Sequence, residues 1–578
     1  MKFSEVALYF FQIEQISGRL EMTRLLADLL AKASGHEANI ICNLSLGQLH
    51  PPYLSSQFNM AEKLVARAVS NYLSIDEEIL AKEAKKTGDL GLVIPILTNT
   101  LQHELTVIQV YDRLCQLQEM SGQGSQEDKI IHLVTLLQSM DTLSARYIVR
   151  VILGRLRLGF SDMTIVDALS WMSIGNKSLR AIIENAYNVC ADIGLIAQLL
   201  KEEGIKKIES IKAQIGIPIL PAAAERLPSP AAIIEKIGPC IAQAKLDGFR
   251  LQVHVDKTKK QNLIKFFSRN LQDMSAMFPD LTQAFDKLEV QTLICEGEAI
   301  VYDPHTGSFS KFQETVKRKR KHGINEAIKE FPLQIFIFDI LFLNGTDLMD
   351  LPHVNRREIL VKLFDISNPL IRVIEETSVT TAKELEDYFN ANISAGLEGL
   401  VVKRPDSVYQ PGKRNFNWIK LKRMSEGHLE DTIDCIILGY YAGSGKRVHF
   451  GIGAFLVGVY NKVHDRFETI AKVGTGLKDE DWKELKKKCD RIKTLFQPKN
   501  VLCVKELVPD VWVYPEIVCS VLADEITISP LHTAARTETK QGYALRFPRF
   551  IDYRSDKKAI EATTIEEINR LYNNQFVK

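Results

Sequence analysis

The 578-residue sequence predicts three parts of different fold class: an all-α part over residues 1–215, an α+β part over residues 216–426 and a small β-barrel over residues 427–578. Three observations predict this division. Leucines recur at helical spacing in the first part, prolines cluster where it ends, and runs of strand length fill the other two. A chain of this length is expected to hold several domains.

The first part is predicted to be helical because leucines between Leu20 and Leu30 recur with the period of an α-helix, and Ser161 is a candidate N-cap for the segment after it. Four prolines from Pro218 to Pro230 then indicate an extended connector, since proline fixes φ and removes a hydrogen-bond donor. We place the first domain boundary at this connector.

Strand-length patterns dominate the rest of the chain. In the second part they are LQVHVD, LICEGEAIVYD, LQIFIFDILFL and GLVVKRP, separated by helical stretches such as TAKELEDYFNANISAG. In the third part DCIILGYYAG, GAFLVGVYN and ETIAKVGTG have the spacing of a small barrel, which the charged helix DEDWKELKKKCDRI interrupts.

Composition limits the class of protein. The net charge is +1, so a basic surface for nucleic acid must be local. Nine cysteines are scattered without a C-x-x-C pair, which predicts free thiols in a reducing compartment and argues against a zinc ribbon. The start has no signal-peptide layout and no run can span a membrane, so we expect a cytoplasmic protein without membrane association.

The sharpest local motif is KLDGFR, which contains Lys245, Asp247, Gly248 and Arg250. A lysine at a strand end, beside a carboxylate and an arginine, is a candidate nucleophile, because burial or cationic neighbours can lower the pKa of its amine. The glycine lets the backbone turn tightly beside a ligand. The alternative is an exposed turn that carries charges of both signs.

Further motifs follow in a fixed order. They are SRN (268–270), EGEA with Glu296 and Glu298, FIFD with Phe338 and Asp339, EGLVVK with Glu398 and Lys403, and WIKLK with Trp418, Lys420 and Lys422. Lysines neutralise phosphate oxygens and carboxylates hold a hard cation, so the set suits a triphosphate with Mg²⁺. Each motif alone is weak, and their order and spacing carry the specificity.

Together these motifs resemble the collinear motifs of covalent nucleotidyltransferases, the superfamily of DNA ligases, RNA ligases and mRNA capping enzymes. The chain is most similar to ATP-dependent DNA ligases of the archaeal and eukaryotic replicative type, and the similarity extends from RYIVRVILGRLRLGFSDMTIVDALS (146–170) to LRFPRFIDYRSDKKAIEATT (545–564). This resemblance implies a helical DNA-binding domain (1–215), an adenylation domain (216–426) and an OB-fold domain (427–578).

The resemblance also implies the reaction. The protein would seal nicks in duplex DNA in replication, repair and recombination, through a lysine–AMP on Lys245 and a 5′-adenylated DNA. ATP and Mg²⁺ would be required, with Mn²⁺ as an alternative metal. The partners would be nicked duplex DNA and a sliding clamp, and the enzyme would act as a monomer.

Roles carried over from the family fall on named positions. Arg250 and Arg269 would contact ribose or the nick phosphate, and Phe338 would stack on adenine. Glu298 would bind the ribose and, with Glu398, the metal. The implied phosphate contacts are Lys420 and Lys422 at the α-phosphate, and Arg554 and Lys557, of the R-x-D-K element with Asp556, at the pyrophosphate.

A cluster of arginines near a turn at Gly154 and Gly159 is the predicted DNA-binding surface of the first domain. It comprises Arg146, Arg150, Arg155 and Arg157. Phosphate contacts need only such a local cluster, whatever the net charge.

One position departs from the family pattern. Gln243 stands two residues before the lysine, near the expected adenine, where the family usually has glutamate. Glutamine offers a donor as well as an acceptor, so use of ADP, GTP or NAD stays open. A capping guanylyltransferase, an RNA ligase, an NAD-dependent ligase and a DNA-clamping protein with a dead nucleotide site are the alternatives. GSGKR (443–447) is interpreted as a β-turn, and KRKRKH (317–322) as a solvated or DNA-facing helix.

We predict that Lys245 alone carries AMP. Lys245→Arg keeps the charge but cannot supply a neutral amine, so the protein should form no labelled adduct with α-labelled ATP on denaturing electrophoresis. Lys259→Arg, outside the motifs, is the matched control and should label normally. An adduct that survives Lys245→Arg would contradict the assignment.

Overall fold

The computed structural model describes residues 1–16, 18–54, 57–95, 105–122, 124–156, 158–303, 308, 309, 315, 318, 323–364, 368–395, 397–422, 432–443 and 445–575. Two units divide the chain. The first comprises Met1–Ser74 with Ile94–Arg423, and the second Ile75–Val93 with Met424–Lys578. Within the described ranges, no helix is both long and apolar enough to cross a membrane.

The predicted all-α region is confirmed. Its helices are α1 (Phe3–Glu14), α2 (Arg19–Lys32), α3 (Gly35–Ser45), α4 (Glu62–Leu73), α5 (Glu77–Thr87), α6 (Val107–Glu119), α7 (Ser125–Gln138), α8 (Thr142–Ile152), α9 (Asp162–Ile174), α10 (Arg180–Val189), α11 (Ile193–Glu203) and α12 (Ile205–Glu209). Ser161 occupies the N-cap position of α9, as predicted, but its side chain makes no capping hydrogen bond. Of these helices, α5 belongs to the second unit.

The core of the helical region contains a buried ion pair. Arg150 on α8 is 1% exposed, and its guanidinium donates to Glu14 Oε2 at 2.8 Å and to Oε1 at 3.0 Å. The Tyr147 hydroxyl donates to the same carboxylate at 2.8 Å. Burial would raise the pKa of Glu14, but these hydrogen bonds outweigh it, so the pKa of Glu14 is lowered.

Two sheets form the rest of the first unit. The strands are β1 (Ala223–Arg226), β2 (Cys240–Lys245), β3 (Phe249–Asp256), β4 (Leu263–Ser268), β5 (Thr292–Asp303), β6 (Ser308–Phe309), β7 (Leu333–Leu343), β8 (Thr346–Asp347), β9 (Ile371–Val373), β10 (Glu376–Val379), β11 (Gly399–Lys403) and β12 (Arg414–Lys422). The helices among them are α13 (Pro230–Ile237), α14 (Pro279–Asp286), α15 (Ile324–Glu330), α16 (His353–Leu363) and α17 (Ala382–Ser394). The prediction of an α+β region is confirmed.

One sheet has the order β1-β12-β11-β2-β10, and the other β4-β3-β5-β7-β8, with β6 and β9 added to β5 and β7. An apolar cluster joins their inner faces, because it combines Phe338 and Leu341 of β7 with Trp418 of β12 and Tyr409. The strands of both sheets beside this cluster carry residues of the motifs, so the fold brings these motifs together.

The proline-marked connector is fixed along β3 by alternate side chains of that strand. His254 accepts from Gly216 N at 3.0 Å. Gln252 accepts from Ile219 N at 2.8 Å and donates to Ile219 O at 3.0 Å. Burial lowers the pKa of His254 to about 3, so its imidazole is neutral and can accept this hydrogen bond.

The second unit confirms the predicted barrel-like set of strands. They are β13 (Ile433–Tyr441), β14 (Ala454–Asn461), β15 (Arg466–Val473), β16 (Lys493–Thr494), β17 (Val501–Leu502), β18 (Val511–Val513), β19 (Val518–Leu522), β20 (Glu525–Ser529), β21 (Gly542–Arg546) and β22 (Arg549–Tyr553), with helices α18 (Asp479–Arg491) and α19 (Ile565–Asn574). One edge of β13 pairs with β19 and then with β18, so the sheet curls around its apolar core.

The segments GSGKR and KRKRKH differ from their predicted structures. Gly445–Phe450, which includes part of GSGKR, is a 3-10 helix, so the predicted β-turn is wrong in type. Within KRKRKH only Arg318 is described: it is buried and donates to Asp280 Oδ2 at 2.5 Å, so it is not solvated. The other residues of this motif lie outside the described part of the chain.

We expect Glu14→Gln to lower the free energy of unfolding by about 3 kcal/mol, because it leaves the Arg150 charge buried and uncompensated. The Glu14 pKa is lowered in the fold, so its contribution is present above the ordinary value of 4.5 and is lost as the pH falls below it. Urea unfolding followed by far-UV circular dichroism at two pH values measures both effects. Glu62→Gln, in the exposed pair with Arg155, is the control and should cost below about 0.5 kcal/mol. Equal costs for the two variants would contradict the prediction.

Candidate active site

Lys245 lies at the end of β2 against a carboxylate. Its Nζ contacts Glu398 Oε2, and Glu398 N donates to Lys245 O at 3.2 Å, because Glu398 immediately precedes β11, the strand next to β2. The Lys245 side chain is 23% exposed. The structure therefore presents this amine to solvent at the rim of the two sheets, held by a carboxylate.

Glu298 on β5 lies on the opposite side of the same turn. Its Oε1 accepts from Gly248 N at 3.1 Å, three residues after the lysine. Burial raises the pKa of Glu298 to about 7, although Lys245 and Arg250 act in the opposite direction. A hydrogen bond between a backbone amide and a carboxylate thus connects the KLDGFR motif with the EGEA motif.

Gly248 explains why the motif requires glycine. A Cβ at this position would lie 2.3 Å from Ala299 O on β5, a distance that no side chain tolerates. Close approach of two backbones, and not a left-handed turn, is therefore the constraint. It holds the loop after Lys245 against the strand that carries Glu298.

Arg250 on β3 has both polar and aromatic partners. Its guanidinium donates to Glu296 Oε2 and to Ala222 O, both at 2.9 Å. The guanidinium carbon lies 5.4 Å from the Phe338 ring centre and 5.6 Å from that of Trp418. Since Glu296 is 1% exposed and its ion pair is complete, this glutamate is a structural partner of Arg250.

Phe338, the predicted adenine contact, is 9% exposed on β7 and packs edge-on against Trp418. Behind it lies a charge cluster that sequence reasoning missed. The cluster joins Asp339, Arg356 and Lys403, with Arg356 donating to both carboxylate oxygens at 2.8 and 3.1 Å and Lys403 Nζ lying 3.6 Å from Oδ2. Burial lowers the pKa of Lys403 to about 8. FIFD signals the aspartate, but no pattern in the sequence signals Arg356.

The other sheet contributes a row of residues across its strands. Glu376 of β10 is in register with Gln243 of β2, Gln243 with Val401 of β11, and Val401 with Lys420 of β12. Lys422 is in register with Gly399, which is itself opposite Lys245. The Lys422 side chain lies outside the described residues, so only its position in the strand is established.

Arg269 follows β4 and is exposed. It lines a small cleft together with Arg250, Ser268 and Glu296. The predicted Arg250 and Arg269 therefore border one cleft, beside the connector residues Pro218 and Pro221.

In the second unit, Arg554 and Lys557 share a single carboxylate. Asp434 Oδ2 accepts from Arg554 at 2.8 Å and from Lys557 at 2.7 Å, and the Ser520 hydroxyl donates to Oδ1 at 2.6 Å. Arg554 also forms a two-pronged pair with Asp556. Burial would raise the pKa of Asp434, but these partners lower it overall, so Asp434 is ionised and holds the two cations side by side.

The predicted arginine cluster for DNA requires correction. Arg150 is buried with Glu14, and Arg146, 7% exposed, donates to Ile94 O at 2.9 Å, so neither presents its charge to a DNA phosphate. Arg155 is exposed beside Glu62, and Arg157 lies outside the described residues. The apolar side of α8 faces the core, and the arginines on it are buried with that side.

The donor set suits a magnesium ion that is shared with substrate. Glu298 and Glu398 place two carboxylates beside Lys245, and in the described chain no third ligating side chain completes a closed metal site. Mg²⁺ is usually held by one or two carboxylates together with substrate phosphates and water, so this open pair fits it. A lysine, two carboxylates and nearby guanidinium groups can accept and stabilise a transferred phosphoryl group.

Comparison with known proteins finds relatives along the whole chain. Residues 221–422 match the family model "ATP dependent DNA ligase domain", residues 2–170 match "DNA ligase N terminus", and residues 449–557 match "ATP dependent DNA ligase C terminal region". A protein of Dictyoglomus turgidum named probable DNA ligase is 44% identical over 577 residues, covering 100% of this chain and 98% of its own. The DNA ligase of Sulfolobus acidocaldarius is 38% identical, covering 100% and 99%. A solved structure named Pmar-Lig_PreS3 shares the fold, with a TM-score of 0.56 and 16% identity over 95% of this chain and 99% of that one.

Gly248→Ala should slow transfer of AMP to the protein by about 100-fold, because its Cβ would push the loop after Lys245 away from Ala299 and displace the amine. Single-turnover labelling with α-labelled ATP measures the rate. Gly18→Ala, whose Cβ would meet nothing closer than 4.0 Å, is the matched control and should label at the wild-type rate. A Gly248→Ala rate within twofold of wild type would show that the close approach is not required.

Proposed function

Because the chain belongs to the ATP-dependent DNA ligase family, we propose that it seals nicks in duplex DNA through AMP carried on Lys245. The observation that supports the choice of lysine is its setting. Lys245 lies at the rim between the sheets with Glu398 against its Nζ and with Glu298 bound to the turn that follows it. We propose the domain boundaries given by the sequence, at residues 1–215, 216–426 and 427–578.

In the first step the neutral Nζ of Lys245 attacks the α-phosphorus of ATP. A nitrogen–phosphorus bond forms, the bond to the bridging oxygen breaks, and pyrophosphate leaves. Glu398 Oε2 contacts Nζ, and we propose that this carboxylate accepts the proton that the nitrogen gives up as its bond to phosphorus forms. Mg²⁺, held by Glu298 and Glu398, would neutralise the phosphate charge during this step.

In the second step a 5′-phosphate oxygen at the nick attacks the AMP phosphorus and the bond to Lys245 breaks. In the third, the 3′-hydroxyl attacks that 5′-phosphate, the phosphodiester forms, and AMP leaves. We propose that Arg269, which lines the cleft, contacts the nick phosphate, and that Lys420 and Lys422, both on β12, contact the α-phosphate. Arg250, already bound to Glu296, acts mainly by shaping the wall on which Phe338 meets adenine.

The proposal extends to the biological setting. The enzyme would act as a monomer on nicks left by replication, repair and recombination, with a sliding clamp as partner. Arg155 and other exposed cations of the helical region would contact the duplex. Their contribution would appear as a fall in affinity with rising salt.

We expect α-labelled ATP to label the protein, with GTP and the labelled adenylate group of NAD giving little adduct, and we expect the labelled protein to seal a nicked duplex without further ATP. Parallel incubations followed by denaturing electrophoresis separate the alternatives. Preferential labelling by GTP would indicate a capping-type enzyme, and labelling by NAD an NAD-dependent ligase. Failure to seal nicked DNA after labelling would overturn the proposed substrate.

The double variant Arg554→Ala and Lys557→Ala should slow labelling by ATP about 100-fold, because the pyrophosphate leaving group loses two cations. It should largely spare sealing of a nick that already carries 5′-AMP, since no pyrophosphate leaves in that step. Lys558→Ala, the exposed neighbour, is the control and should behave as wild type. Equal loss in both assays would instead indicate a general role in DNA binding or folding.

A further inference from the structure

Gln243 is a buried amide with a carboxylate as its partner. It is 2% exposed on β2, and its Nε2 donates to Glu376 Oε1 at 2.5 Å from the adjacent strand β10. Within the described chain no residue donates to the other end of the amide, Oε1. This oxygen is not among the enclosed side-chain atoms that lack a partner, so it keeps access to solvent and a bound ligand can donate to it.

Glu376 determines which way the amide faces. His353 Nε2 donates to its Oε1 at 2.9 Å, and Arg357 Nε lies 3.4 Å from its Oε2. Burial would raise the pKa of Glu376, but these partners lower it overall, so the group is ionised. A carboxylate only accepts hydrogen bonds, so the NH₂ end of Gln243 must face it and Oε1 must face away.

The free end of the amide lies on the face that carries the nucleophile. Alternate residues of a strand share one face and are about 7 Å apart, which places Gln243 beside and behind Lys245. When the α-phosphate of a bound nucleotide contacts Lys245 Nζ, the nucleoside of that nucleotide extends along this face. Gln243 is the more deeply buried of the two residues, so the base is the part of the nucleotide that reaches it.

Resting on the proposed function, we infer that Glu376 is the positioning residue for base choice: it holds the Gln243 amide so that Oε1 accepts from the 6-amino group of adenine. A 6-oxo purine presents an acceptor at the same place and would leave two acceptors facing each other. The fixed glutamine thus offers the base only an acceptor, as a glutamate would, and the enzyme rejects GTP and ITP.

This arrangement also predicts the effect of exchanging the amide and the carboxylate between Gln243 and Glu376. Gln243→Glu alone places a second carboxylate against Glu376, and like charges at this distance disfavour the fold and the bound nucleotide. The double variant Gln243→Glu with Glu376→Gln restores one carboxylate and one amide with the hydrogen bond reversed. An acceptor still faces the base in the double variant.

The test compares kcat/KM for protein labelling by ATP and by ITP, its 6-oxo analogue. In Glu376→Gln the two amides can pair in either direction, so kcat/KM should fall for ATP and rise for ITP, reducing the ATP-to-ITP ratio by at least about tenfold. The double exchange should return the ratio to within about threefold of wild type. Glu375→Gln, the exposed neighbour on the chain, is the matched control and should leave the ratio unchanged.

A ratio that stays at the wild-type value in Glu376→Gln, or an equal loss for both nucleotides, would overturn the inference and assign Glu376 a structural role. If Glu376→Gln does not fold, Glu376→Asp, which withdraws the carboxylate by one methylene, gives the same readout. Failure of the wild-type protein to label with ATP would overturn the proposed function itself, which distinguishes the two failures.

Discussion

The structure of the candidate site depends on one guanidinium whose side chain is only 18% exposed. Arg250 spans the space between β3, β5 and the connector, because it donates to Glu296 and to Ala222 O while Phe338 and Trp418 pack against its plane. A charge with so little access to water is stable only if its partners are fixed in place. The pair joins β3 to β5 within one sheet, and the contact of Arg250 with Trp418 connects this pair to the sheet that carries Lys245.

Two glutamates two residues apart on β5 show how the surroundings assign different chemistry to one residue type. Glu296 is saturated by Arg250, Gln252 and the Tyr409 hydroxyl, which leaves it no role toward a ligand. Glu298 accepts a hydrogen bond from the backbone amide of Gly248, and burial raises the pKa of Glu298 to about 7. A carboxylate that keeps a free oxygen beside the proposed nucleophile is available to ribose or a metal, whereas one with all its hydrogen bonds made supports the walls of the site.

Sequence patterns predicted the helices and strands well, because hydrophobic periodicity and the residues that end an element are local properties of the chain. The helices before the connector, the strands of the second part and the curled sheet of the third all lie where periodicity places them. Long-range partners were not predictable. No residue near Arg150 in the sequence indicates that Glu14 is its partner. An arginine on an amphipathic helix is therefore expected to be exposed unless its buried partner is known. Glu376, Arg356 and Tyr409 belong to no motif. Strand register places Glu376 beside Gln243, whereas Arg356 reaches the site from α16 and Tyr409 from the segment between β11 and β12.

The connector along β3 has a consequence for how such proteins can be recombined. Its backbone forms hydrogen bonds at Gly216 and Ile219 with alternate side chains of β3 and at Ala222 with Arg250, so it is held as part of the second part although it ends the first. A chimaera that takes its helical part from another parent should therefore change parent before Gly216. A crossover inside the proline stretch would combine connector residues from one parent with the β3 side chains of the other. The hydrogen bonds between them, including that of Ala222 with Arg250, would then be at risk.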